Sequence, residues 1–333
     1  ERLQTKIQRR QNIMKDREKY EDRIRTQLEN NHWNMMNDSI FKFILGSEEH
    51  KAITVSFLNS VLAGSLGHRI EDIEFRPTEQ IPENIEDKAP RFDVACELDT
   101  GELVDVEAQV VNYHDMERRS LCYWTNMYRS RLPKGWKYQD LRPCITLSIL
   151  AFNLLPKPKP HSSYSIRENE TYELLNEDLG LHFIELKKFL RAAGNKPASE
   201  LTKMERWMGY FAYRTEKKRK ELAMCDDSIS MAYEAAEAFF SSREERMNYI
   251  NSEMAGVDYR SGMQDAEDRG EERGIKIGEE RGEARGIKIG EDRGEERFAR
   301  LMQILKAENR NDDISRIITD KAYRQELFGT FNL

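Results

Sequence analysis

The sequence predicts an α/β fold, a mixed central sheet flanked by helices and followed by a helical C-terminal extension. Three observations predict it. Residues 91–110, RFDVACELDTGELVDVEAQV, alternate apolar and polar residues on both sides of a short Asp-Thr-Gly turn, the pattern of a hairpin. Residues 143–155, PCITLSILAFNLL, are almost continuously apolar, as expected of a strand covered on both faces. Apolar residues at helical spacing flank both stretches.

A chain of 333 residues, 38% of them hydrophobic, can bury one large core with accessories or two modest ones. No run approaches the roughly 18–20 consecutive apolar residues of a membrane span, and no charged-then-apolar leader opens the chain. The expected location is the cytoplasm, with no membrane partner. Cys96, Cys122, Cys144 and Cys225 lie far apart with no CxxC pair, which argues against a zinc knuckle and a disulfide framework; Cys96 and Cys144 read as small buried hydrophobes. The net charge of −7 argues against indiscriminate polyanion binding, but it is unevenly spread. Residues 112–142 hold seven basic side chains (Arg118, Arg119, Arg129, Arg131, Lys134, Lys137, Arg142) against Asp115, Glu117 and Asp140. That excess reads either as a solvated helix face or as a grip on a phosphate backbone.

Residues 1–34 are charged and carry few apolar anchors, such as Ile7, Ile13 and Ile24, and read as a solvent-facing helix or arm. From Asn37, NDSIFKFILG places Ile40, Phe41, Ile44 and Leu45 at helical spacing, closed by Gly46. Ser47 then starts a helix with the stripe Ile53, Phe57, Leu58, Val61 and Leu62. After the hairpin, helical spacing resumes at Asp115 with Leu121, Trp124, Tyr128 and Leu132 on one stripe and stops at the Pro133–Gly135 turn. Beyond the 143–155 strand and a proline loop, HSSYSIRE and HFIELKKF alternate like further strands, and residues 199–255 read as helical, packed through Trp207, Phe211, Phe239 and Phe240. The principal domain is therefore expected over residues 35–255.

Residues 256–297 are of another kind. They contain three copies of a 12-residue unit, GMQDAEDRGEER, GIKIGEERGEAR and GIKIGEDRGEER, with glycine at every fourth position from Gly270 to Gly294. Each glycine costs about 1 kcal/mol of helix stability relative to alanine, so the segment alone is expected to be a marginal helix or linker. The near-identity of the copies fits either an expanded DNA repeat or an oligomerisation role. Residues 298–333, with Phe298, Leu301, Met302 and Leu305, then Ile314, Ile317 and Ile318, are expected to form two amphipathic helices able to dimerise, which makes a homo-oligomer through the C-terminal tail the expected assembly.

The hairpin carries the chemistry. If Asp99, Thr100 and Gly101 form a three-residue loop with Gly101 left-handed, Leu98 faces Glu102 and paired residue numbers sum to 200. Phe92, Val94 and Cys96 then meet Ala108, Val106 and Val104 on the buried face, while Asp93, Asp105, Glu107 and Gln109 share the other. Asp93 falls opposite Glu107. Two facing carboxylates repel unless something positive lies between them, and oxygen donors of this kind select Mg²⁺, with Mn²⁺ as a substitute. The alternative is a row of acids on a solvent-facing sheet.

FDV, followed after a turn by VEAQ, resembles the D…ExK core of the PD-(D/E)XK nuclease superfamily, and is closest to its transposase-like branch, the recombination-promoting nuclease family. NDSIFKFILG, SFLNSVL, ERRSLCYWTNMYRSRLPKGWKYQDLRPCITLSIL and HFIELKK extend the resemblance in order over roughly residues 35–255. It implies a PD-(D/E)XK nuclease-like fold and a metal-dependent DNA endonuclease acting on phosphodiester bonds. Asp93 and Glu107 match the metal-binding carboxylates, and Asp38 matches an acidic position on the first helix that reaches the metal, although an Asp before SIFKFI also reads as a helix cap. Gln109 stands where the wider superfamily has lysine; an amide can orient a water but can neither carry charge nor take a proton, so slow or regulated cleavage is expected. Arg119 and Tyr123 match a pair expected at the scissile phosphate, with packing and backbone capping as the alternative roles; the basic excess of this segment places Arg118, Arg129, Arg131, Lys134 and Lys137 as the expected grip on the DNA backbone. His114, the histidine nearest the site, reads either as a base or, as a lone histidine at a strand-to-helix junction, as a structural residue. Rival readings are a catalytically silent DNA-binding protein on the nuclease scaffold, and an assembly module whose working part is the tail.

Overall fold

The computed structural model describes residues 17–78, 91–130, 135, 137–193 and 196–333. Turn chemistry organises its sheet. Gly101 adopts φ +98°, the left-handed conformation the loop requires, and Leu98 N–H donates to the Glu102 carbonyl at 2.8 Å. Strands β2 (Val94–Leu98) and β3 (Leu103–Gln109) therefore pair with Val94 opposite Val106, Ala95 opposite Asp105 and Cys96 opposite Val104. Helix α4 (Met116–Ser130) carries the chain to β4 (Cys144–Leu150), which lies parallel to β3 and is buried at every residue. With β1 (Ile73–Phe75), β5 (His161–Tyr164) and β6 (Leu179–Glu185) the sheet is mixed, in the order β1-β2-β3-β4-β6-β5.

HFIELKKF is half strand and half helix. The chain leaves β6 at Glu185 and enters α5 (Leu186–Ala193), which buries Leu186, Phe189 and Ala193 at helical spacing. The junction holds a buried ion pair: Lys188 Nζ donates to Glu185 Oε2 at 2.5 Å and to the Leu155 carbonyl at 2.6 Å, while Leu154 and Leu155 N–H groups donate to Glu185 Oε1. This clamps the proline-rich loop after β4 onto the end of β6.

One face of the sheet packs on α2 (Asp38–Leu45), α3 (Lys51–Leu62), α5, α6 (Lys203–Ala212), α7 (Glu216–Ala223) and α8 (Asp227–Ser241), around Phe41, Phe57, Trp207, Tyr210 and Phe239. Gly46 caps α2 with φ −115°; glycine serves there for space, because a Cβ would lie 2.8 Å from the Lys42 carbonyl. The stretch before α2 is docked on the core. Residues 17–29 form helix α1, with Ile24 buried, and the fully buried Arg219 of α7 donates to the carbonyls of Asn31, Trp33, Tyr213 and Arg214 while stacking 4.8 Å from the Trp33 ring.

The opposite face is covered by α4, and its buried stripe differs from the expected one. Met116, Ser120 and Met127 point inward, Trp124 and Tyr128 are half-buried, and Leu121 is exposed; Leu132 lies outside the described residues. The reason is the polar row beneath the helix, Asp105, Glu107, Thr146 and Ser148, which a small hydroxyl residue such as Ser120 fits and a leucine does not. Phe92 also changes sides: regular pairing stops at Val94, and Phe92 turns edge-on to Tyr123, 5.6 Å between ring centroids.

At the sheet edge, His161 of β5 and the buried His182 of β6 stack with Nε2 and Nδ1 3.0 Å apart. Burial pushes both imidazoles down to about 4. The unfolded chain, whose histidines titrate near 6.5, binds more protons between these values, so stability present above about pH 6.5 is expected to be lost as pH falls toward 4. Urea denaturation across this range should show the loss, and His182→Val should flatten the profile.

The chain divides into two units, residues up to Val257 and Asp258–Leu333. Helix α9 (Arg243–Ala307) runs unbroken through all three repeats, and nothing stands within 4 Å of where a Cβ would sit on any glycine from Gly270 to Gly294. In the second unit the C-terminal apolar residues pack within the chain. Leu301 and Leu305 of α9, Ile317 of α10 (Asn311–Thr319), and Leu327 and Phe328 of α11 (Lys321–Thr330) form one small core, leaving Ile318 exposed. The expected pair of helices is thus three helical segments closing on each other. Among the described residues, no helix is long and apolar enough to cross a membrane.

Candidate active site

Beyond Val94 the hairpin ladder is continued by side chains. Asp93 N–H donates to Glu107 Oε1 at 3.0 Å, and Ala108 N–H donates to Asp93 Oδ2 at 3.0 Å. The two carboxylates expected to face each other are therefore tied reciprocally to each other's strand. The row they occupy is no solvent-facing surface: Glu107 and Asp105 are buried beneath α4, and Asp93 is mostly so.

Positive charge reaches them from two helices. Lys42 of α2 places Nζ 2.6 Å from Asp38 Oδ1 and 3.2 Å from Asp93 Oδ1, so Asp38 joins the site through a lysine. Asp38 does not cap the helix; Asn37 does, its side chain accepting from Ser39 N–H. On the other side, Arg119 of α4 donates to Gln109 Oε1 at 3.0 Å and to the Tyr123 hydroxyl at 2.8 Å. The half-buried Arg119 and Tyr123 thus stand at the end of β3 beside Gln109. Arg118, Arg129 and Lys137 are exposed, Arg131 and Lys134 lie outside the described residues, and His114, at φ +59°, is exposed at the turn into α4.

The electrostatics show a pocket short of cations. Burial pushes Glu107 up to about 8, with the charge of Asp93 adding to it and Arg119 opposing. Burial also raises Asp93, against the pull of Lys42, and raises Asp105 well above the usual carboxylate range, with Glu107 and Asp93 adding to the effect. A bound cation reverses this balance. The donor chemistry fits a hard divalent ion: carboxylate oxygens dominate, with the Asp105 carboxyl hydrogen-bonded to that of Glu107, and the Thr146 hydroxyl is buried with no hydrogen-bond partner. Among the described residues, no three His, Cys, Asp or Glu side chains are gathered as a metal cage, so an ion here could be held by no more than a carboxylate pair, with water completing its shell.

Sequence reasoning missed Lys42 and the burial of Asp105. Lys42 carried one signal, its place four residues after Asp38 on the same helical face. Asp105 carried only its alternation, which puts it on the polar face without revealing that a helix covers that face.

No curated protein and no solved structure matches the chain. Residues 35–266, well over half of the chain, match the family model described as PD-(D/E)XK nuclease family transposase, and the chain belongs to that nuclease family.

Proposed function

We propose that the protein is a divalent-metal-dependent DNA endonuclease of the recombination-promoting or transposase-like type, hydrolysing phosphodiester bonds with Mg²⁺ held by Asp93 and Glu107 and approached by Asp38. The observation that carries the reading is the reciprocal tie between Asp93 and Glu107 on adjacent strands, in a buried row of acids whose charge Lys42 and Arg119 offset only in part. A divalent ion there would polarise a phosphoryl oxygen and acidify a water. Because Arg119 occupies Gln109 Oε1, the amide nitrogen of Gln109 is left to donate to a water or a phosphate oxygen; it cannot accept the water's proton. The proton therefore passes to solvent or to the substrate's own phosphate, and turnover is expected to be slow. Arg119 presents its remaining positive charge toward the scissile phosphate, with the Tyr123 hydroxyl fixing the guanidinium. Arg118, Arg129 and Lys137, with Arg131 and Lys134 assigned from the sequence, grip the backbone.

Incubation of the purified protein with supercoiled plasmid and Mg²⁺, beside an EDTA control, tests this. Nicked or linear product only in the metal lane supports it, and no product at any Mg²⁺ or Mn²⁺ concentration overturns it. Affinity measured separately should fall steeply with salt. Lys42 favours one rival: its ammonium already neutralises Asp93 and Asp38, as a catalytically silent DNA-binding scaffold would require. That rival gives a mobility shift without cleavage. For the tail, the exposed Ile275, Ile277, Ile287 and Ile289 of α9 support association with a second copy, which sedimentation of the full chain beside a chain ending at Val257 would test.

A further inference from the structure

Two surfaces of the first unit have no part in the carboxylate pocket, and they complement each other. The connection between β5 and β6 is a hairpin in which Arg167 bridges to Leu174, Leu175 N–H donates to the Ile166 carbonyl at 3.0 Å and Glu168 N–H to the Glu173 carbonyl at 2.9 Å. Its tip is pinned. Glu168 Oε2 accepts from the N–H groups of Glu170 and Thr171, and Arg167 donates to the Tyr172 carbonyl at 2.9 Å. These bonds hold Tyr172 at φ +60°, a conformation bulky residues seldom take, with 71% of its surface exposed; Leu175 is equally exposed. Backbone strain held in place to present apolar side chains to water points to a contact surface. The surface is acidic: residues 167–178 carry Glu168, Glu170, Glu173, Glu177 and Asp178 against Arg167 alone.

The complement lies where α1, the end of α8 and the start of α9 meet. A cavity of about 630 Å³ there has a floor of Trp33 and Phe240, stacked 4.4 Å apart, and a wall that includes Met247. Arg25, Arg243 and Arg246 outnumber Glu29 around it. Glu21 holds Arg25, but among the described residues no carboxylate pairs with Arg243 or Arg246; Arg246 donates to the Phe240 carbonyl.

We propose that the hairpin tip of one copy docks in this cavity of a second copy, with Tyr172 and Leu175 over the Trp33–Phe240 floor and Glu170 and Glu173 against Arg243 and Arg246. An aromatic anchor in an apolar pocket with a charged rim is how strong protein contacts are built. The contact joins unlike surfaces, so it runs head to tail. It depends neither on the α9 repeats nor on the nuclease reading.

The test is photo-crosslinking of the full-length protein carrying p-benzoylphenylalanine in place of Tyr172, or in a second preparation Leu175, in a mixture of isotope-labelled and unlabelled chains. The expected product contains two chains, and mass spectrometry joins position 172 or 175 of one isotope to residues 25–33 or 240–250 of the other. Arg243→Glu with Arg246→Glu should lower its yield by at least about tenfold, because like charges then meet across the interface, and adding Glu170→Arg with Glu173→Arg should restore it. All four of these positions are exposed, so the variants should melt with the parent. Absence of a two-chain product overturns the proposal. So does a product joined only to other segments such as the α9 repeats, or a yield that the first reversal leaves unchanged or the second fails to restore.

Discussion

Glu107→Ala and Asp93→Ala are each expected to reduce Mg²⁺-dependent plasmid cleavage by at least about 10²–10³-fold while leaving the fold standing, the scale on which removing one preorganised electrostatic group from an active site is felt. The asymmetry between activity and stability follows from the burial of these groups. Each carboxylate makes one hydrogen bond to a backbone N–H, worth about 1 kcal/mol net. Against that loss stands relief from burying mutually repelling acids in a pocket that pushes Glu107 up to about 8. The net change in stability should be small. Asp93→Ala also leaves Lys42 with Asp38 alone, an exposed partner that contributes little. Plasmid nicking rates with melting curves on the same preparations check both halves. Variants that nick as fast as the parent would place the chemistry elsewhere.

Lys188→Met is expected to have the largest effect on stability, about 3–5 kcal/mol, because it strands the fully buried Glu185 as an uncompensated charge. In a domain of this size each kcal/mol moves the melting temperature by about 2–4 °C, so the fall is on the order of 10 °C. Glu185→Leu combined with Lys188→Met removes both charges but still orphans the N–H groups of Leu154 and Leu155, so the double variant should recover only part of the loss. Thermal unfolding of parent, single and double variants measures this. Full recovery would mean that the clamp on the 154–155 loop contributes nothing.

The centre of the fold was legible because its turn is. Asp99, Thr100 and Gly101 admit one short hairpin, its register sets Val94 against Val106, and Asp93 and Glu107 follow as neighbours. The apolar stripes of α2 and α3 were equally readable, since each buries its hydrophobic face on one core. Phe92 was misplaced because alternation was extended past the bend at Asp93, where side chains take over from the ladder. The stripe of α4 was misread because what a helix buries depends on the surface beneath it, here polar enough to prefer Ser120 to Leu121. The C-terminal helices show the same limit: periodicity marks a face that must be covered, and Leu301, Leu305 and Ile317 are covered by their own chain. Lys42 was legible only as an i,i+4 partner of Asp38; that its ammonium also reaches Asp93 is a property of the tertiary fold.

The central claim, that Asp93 and Glu107 share a divalent cation, is tested most directly by a crystal structure of the protein soaked in Mn²⁺, with anomalous diffraction to locate the ion. The account predicts an anomalous peak within about 2.3 Å of an oxygen from each carboxylate, with the Lys42 ammonium drawn away from Asp93. No peak at a saturating Mn²⁺ concentration, with Lys42 still bridging Asp38 and Asp93, would contradict it.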